Sequence, residues 1–251
     1  AFLYFIITVL LGLSLRVSYI ADAFFNVRHI THTHSHIGLL GWIYTILTSL
    51  ICQYFLRPTD RKPYFILFLC TQLAIVGMLF SFPFGGYFLY SIIFSSLFVI
   101  CTYWFGIFFL KRSKKYNFIR FSISKSVDTE HDKPLSLRFV RWGVYFLILS
   151  SIGIWLLPVA IVKTGKGSEW YNSALYFFLH FQYNGWFLAV LFGLLVSEIE
   201  HKSLVSSKRL IGVLYSFIVG TIGSVTLSWV GFFNEPLLYI IGNISGFLLL
   251  A

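Results

Sequence analysis

Long apolar blocks, broken at intervals by short polar and basic segments, limit this 251-residue chain more than any other feature. A helix of about 20 apolar residues spans the hydrocarbon of a bilayer. Blocks of this kind lie near 1–20, 33–56, 64–82, 86–110, 137–162, 170–197 and 210–231, and an eighth begins near 237 and is still apolar at Ala251. Charged residues make up 11% of the chain, against roughly 25% in a soluble domain. The expected fold is therefore an all-α integral membrane protein, a polytopic bundle of about eight transmembrane helices. Residues 1–251 read as a single membrane domain, with a polar loop at 111–136. The last helix reads as incomplete and the whole as fragment-like.

The formal net charge of +10 is distributed by topology. Of 19 Lys and Arg, 15 fall in the segments 57–63, 111–141 and 198–209. The alternate loops hold only Arg28, Lys163 and Lys166, and Arg16 sits in the first helix, able to snorkel outward. Basic residues collect on the cytoplasmic side of membrane proteins, which predicts a cytoplasmic N-terminus. The membrane expected is a bacterial inner membrane. The expected partner is the lipid bilayer. Nucleic acid is not expected, because the basic segments are short loops between spans. Cys52, Cys70 and Cys101 stand singly, so no CxxC metal or disulfide framework is indicated.

Within this apolar background the histidines stand out. Four of them crowd the start of the second helix, in Arg28-His29-Ile30-Thr31-His32-Thr33-His34-Ser35-His36, followed by Ile37-Gly38-Leu39-Leu40-Gly41-Trp42. His180 lies inside the sixth, in His180-Phe181-Gln182-Tyr183-Asn184-Gly185-Trp186. Ionisable groups at membrane depth are rare and usually face a pathway, a cofactor or one another. Imidazole is also the commonest metal ligand among side chains. At 1.5 Å per residue, His36 lies about 13 Å into its helix from the outer side if the helix starts near Val27, and His180 about 15 Å if its helix starts near Trp170, so similar depths are expected for the two. His29, His32 and His36 share one helical face and His34 points away. His131 and His201 read as solvated.

Two readings stay open at each position. His29, His32 and His34 suit either a polar cap where the second helix meets water or a ligand set. His180 suits either a ligand or a neutral imidazole bonded to a backbone carbonyl, with Gln182, Tyr183 and Asn184 marking an interior face. Gly38, Gly41 and Gly185 permit close approach of a neighbouring helix or of a flat macrocycle. Haem ligated through imidazole fits this pattern. The alternative is zinc or copper held by His32, His34, His36 and His180, although a single Met78 weakens a copper site. A transporter reading has little support, since interruptions such as Pro158 are few.

On these two stretches the chain resembles the catalytic subunit I of the haem-copper oxidase and nitric oxide reductase superfamily. In that family an Arg opens the second helix on the outer side and a His a few residues on ligates the low-spin haem. The reductases often show Arg-x-x-His-Thr-Asn-Leu there, for which Arg28 to His36 offers several frames. On helix six they carry His-x-x-x-Glu-Gly. The stretch His180 to Gly185 keeps the His and Gly in register, with Asn184 in place of Glu.

The resemblance implies a subunit-I-like fold of about twelve helices, haem as cofactor, and a function in electron transfer or small-gas redox chemistry as an oxidoreductase. It also implies an electron donor or other respiratory-complex subunits as partners. It places haem at His32 or His36, with Arg28 in the pocket, and makes His180 a ligand or a pocket group. The family's two further histidines on helix seven have no counterpart between Ile211 and Gly231, so no second-metal site is recognisable.

Overall fold

A computed structural model describes residues 1–22, 24–114, 134–201, 207–233 and 235–250, with side chains left aside at 201 and 207–209. Residues 115–133 of the expected polar loop, His131 among them, lie outside the described residues, as does the side chain of His201. The described residues are helical without strands. The helices are α1 (Phe2–Val17), α2 (Val27–Phe55), α3 (Arg61–Gly85), α4 (Leu89–Ser113), α5 (Leu135–Thr164), α6 (Glu169–Glu200), α7 (Ser207–Ser224) and α8 (Pro236–Leu250). Short 3₁₀ turns occupy Pro58–Asp60 and Val225–Ser228.

Six of these helices are long and apolar enough to cross a membrane, α2 to α6 and a Leu210–Ser228 stretch continuing α7. Exposed Phe65, Ile66, Leu69, Leu73 and Phe80 along α3 suit contact with lipid. The first and last helices are shorter than their apolar blocks, at 16 and 15 residues. At 1.5 Å per residue α1 covers about 24 Å, less than the hydrocarbon thickness of about 30 Å. Near its end, Ser14 and Ser18 turn their hydroxyls back onto the carbonyls of Leu11 and Leu15.

Three boundaries differ from the hydrophobic pattern for local reasons. Helix α2 starts at Val27 rather than 33, because Asn26 caps it by accepting a bond from the His29 N–H. Its histidines are thereby drawn into regular helix. Pro83, just past the apolar block that ends near 82, lies inside the last turn of α3, and the chain reverses only at Gly86, with φ +59°. A side chain there would meet both backbone strain and the ring of His29. Helix α7 gives way to a 3₁₀ turn at Val225, earlier than the apolar block suggests.

The residues form two compact units, Ala1–Arg112 and Ser113–Ala251. In the first, Ile37, Ile51, Ile75, Met78 and Phe82 are wholly buried. Polar bonds fasten its helices: Tyr4 of α1 donates to Gln72 Oε1 of α3 at 2.9 Å, and Tyr64 of α3 donates to Thr48 Oγ1 of α2 at 3.3 Å. In the second unit, Phe139, Phe146, Phe181, Ala189, Leu214 and Phe217 form the core. Small residues bring its helices close. Gly143 faces Ala189 and Val190, and Gly153 packs against the backbone of α6 at Ala174 and Phe178. With little hydrophobic drive between helices in lipid, such contacts and interhelical hydrogen bonds are what hold a bundle.

Candidate functional site

The three histidines of one α2 face line up against the turn between α3 and α4. The ring of His29 lies over Gly86. The ring of His32 meets Tyr87 edge-on, with centroids 4.8 Å apart. That of His36 lies 4.5 Å from Phe82 and 5.8 Å from Tyr87. The 3.6-residue period puts these side chains on one face, and the Pro83–Tyr87 reversal brings Phe82 and Tyr87 onto it.

His36 is fixed by two bonds. Its Nδ1 lies 2.8 Å from the carbonyl of His32, which can only accept, so Nδ1 carries the proton. The lone pair is thereby left on Nε2, to which the Tyr87 hydroxyl donates at 3.2 Å. A carbonyl on one imidazole nitrogen is the usual means by which proteins orient the other towards a metal. One turn earlier, Nε2 of His32 is buried and has no hydrogen-bond partner among the described residues. Arg28 is exposed at the start of α2, away from these bonds.

His34 faces α1 instead. Its Nδ1 bonds the carbonyl of Thr8 at 3.0 Å, and its ring lies against Gly12. It therefore cannot join His32 and His36 around one ion in this arrangement. Among the described residues, no group of three His, Cys, Asp or Glu is placed to hold a metal.

His180, in the second unit, has both nitrogens engaged. Nε2 donates to the carbonyl of Thr221 in α7 at 2.8 Å, and Asn184 Nδ2 donates to Nδ1 at 3.2 Å. This is the neutral, carbonyl-bonded imidazole that the sequence leaves open, and neither nitrogen is open to a metal here. Gln182 is buried and donates to Ser150 Oγ of α5 at 3.1 Å, while Tyr183 is exposed. The region from His180 to Asn184 thus ties α6 to both α5 and α7.

Gly38, Gly41 and Gly185 meet neighbouring helices, one of the two uses that the sequence leaves open for them. A Cβ at Gly38 would meet Thr8 of α1, at Gly41 Tyr4 and Ile75, and at Gly185 Phe146 of α5. Close approach of helices, rather than an open surface for a macrocycle, is the use made of these three residues.

The two histidine helices each carry the same backbone feature. A π-helical segment follows His36 directly, over Ile37–Tyr44, and another follows His180, over Phe181–Phe187. Such segments are uncommon and recur at functional sites. Tyr87, Phe82 and the Thr221 carbonyl went unmarked in the sequence. Only Tyr87 had a signal, its place just past the Gly85-Gly86 reversal. A backbone acceptor has none.

No family model matches the chain, nor does any curated protein or solved structure. The likeness to the oxidases and reductases therefore rests on its own residues.

Proposed function

We propose that this chain is an integral membrane haem-binding protein serving electron transfer or small-gas redox chemistry, with His36 as the axial ligand. The orientation of His36 carries the reading: Nδ1 is held on the His32 carbonyl and Nε2 keeps its lone pair. The donor set suits haem iron, which takes neutral imidazole. His32, with its buried and unpartnered Nε2, stands one turn away on the same face. Tyr87 donates to Nε2, so its hydroxyl must turn aside for that nitrogen to ligate. Bound haem supplies one-electron redox chemistry at iron. The protein fixes the ligand nitrogen, excludes water with Phe82, and holds α1 and α2 together through His34.

The same reading has the chain as a divergent, subunit-I-like protein of a bacterial inner membrane. The shorter α1 and α8 complete eight spans of a fold of about twelve helices, and an electron donor or other respiratory subunits are its partners. The segregation of basic residues supports a cytoplasmic N-terminus. His180 then acts as a structural group rather than a ligand.

A second reading has one observation in its favour. His32 and His36, a turn apart with one open nitrogen between them, suit a zinc or copper ion whose remaining positions are filled by water.

A reduced-minus-oxidised absorption spectrum of the chain, purified from haem-supplied cells, tests the proposal. A sharp reduced α-band that vanishes in His36→Ala supports haem on α2. A flat spectrum from a folded preparation rules haem out, and elemental analysis for zinc and copper then decides the second reading.

A further inference from the structure

Among the described residues, the end of the first unit where α2 stops, α3 starts and α4 stops carries five basic side chains and one acid. Arg57 precedes the Pro58–Asp60 turn, Arg61 and Lys62 open α3, and Lys111 and Arg112 close α4; all five are exposed. The Asp60 side chain is only 7% exposed and pairs with Arg112 at 3.1 Å, while the Arg112 guanidinium also lies over Phe108. In the sequence these are two separate basic loops. The ion pair between Asp60 and Arg112 sets them side by side as one corner, with four more cations than carboxylates.

That surplus is unfavourable for the protein alone. Arg61 and Lys62 occupy the first turn of α3, where the helix dipole is already positive. The neighbouring cations of α4 add repulsion, and the single carboxylate among the described residues of the corner is already paired. An anion relieves both effects. The position of the corner selects which anion: it is level with the ends of three helices long and apolar enough to cross a bilayer. The layer found at that level is the phospholipid headgroup region, where clustered Lys and Arg attract anionic lipid.

We propose that this corner is a docking surface for anionic phospholipid, whose phosphodiester sits against Arg61, Lys62 and Lys111. The inference needs only α2, α3 and α4 to span the membrane, and it stands whether or not α2 carries haem.

The test uses the full chain in nanodiscs made of equal parts phosphatidylglycerol and phosphatidylcholine. After mild detergent extraction, native mass spectrometry counts the lipids retained. Phosphatidylglycerol is expected to dominate. The Arg61→Gln/Lys62→Gln/Lys111→Gln variant should bind it about a hundredfold more weakly, at about fivefold per charge. All three side chains are exposed, so the thermal transition of the variant should match the parent and show that the fold is kept. Lys163→Gln/Lys166→Gln, which removes basic charge elsewhere, should leave binding unchanged. Equal retention of the two lipids overturns the proposal, as does full phosphatidylglycerol binding by the triple variant. Displacement of the lipid by millimolar inorganic phosphate also overturns it, assigning the corner to a free anion.

Discussion

His180 donates its Nε2 proton to the backbone carbonyl of Thr221 at 2.8 Å, four residues before α7 gives way to a 3₁₀ turn. A side chain of α6 thus satisfies α7 where its regular bonding is about to change. Asn184 closes the arrangement from the other nitrogen. His180→Ala takes the imidazole from the buried Thr221 carbonyl, which keeps the long bond from the Ser224 hydroxyl at 3.4 Å, and leaves the exposed Asn184 amide to solvent, a loss of about 1 kcal/mol. Thermal unfolding in detergent should shift down, while haem per folded protein stays at the parent level. Loss of haem with an unchanged transition would instead make His180 a ligand.

His34 separates in the same way from its two neighbours. Its bond to Thr8 holds α1 against α2, and interhelical bonds of this type average about 0.6 kcal/mol in membrane proteins. His34→Ala should cost that order of stability and leave the spectrum intact, whereas His36→Ala should abolish it. Equal spectra from the two variants would remove α2 from the cofactor site.

Gly153 meets backbone rather than side chain. A methyl group there would press on the Ala174 carbonyl and the Phe178 amide, and neither can rotate away. Gly153→Ala is expected to push α5 from α6 at a cost of about 1–3 kcal/mol, read as a lower unfolding midpoint. Gly246→Ala, where nothing lies within 4 Å, serves as the comparison and should be close to neutral.

Glu200 caps the start of α5 from the end of α6. Its carboxylate accepts from the Leu135 amide at 2.7 Å and from the Ser136 hydroxyl at 2.5 Å. Replacing Glu200 by Ala removes a charged acceptor from a helix N-terminus, at about 1 kcal/mol or somewhat more. Hydrogen exchange at Leu135 and Ser136 should quicken, and unchanged protection would refute the cap.

Much of this architecture is legible in the chain because it follows from spacing. Each long helix lies under an apolar block, and the 3.6-residue period alone places His29, His32 and His36 on one face and His34 on another. What the pattern misses is where a helix begins and what lies opposite it. Asn26 starts α2 six residues before its apolar run, and Pro83 stays helical until Gly86 reverses the chain. Hydrophobicity marks what lipid tolerates, whereas caps and positive φ values mark where the backbone stops.

The sequence by itself determined that the chain forms apolar helices and that imidazoles lie within two of them, since composition and period act within a single helix. Only the tertiary structure decided what each imidazole does. His34 faces a carbonyl of α1, His36 faces Tyr87, and His180 faces Thr221, because a nitrogen's role depends on the group that a neighbouring helix brings to it. The three glycines, open in the sequence to a neighbouring helix or a macrocycle, depend on their neighbours in the same way. Whether the space beside a small residue stays open is set by the packing partner, and here Thr8, Tyr4 and Phe146 fill it.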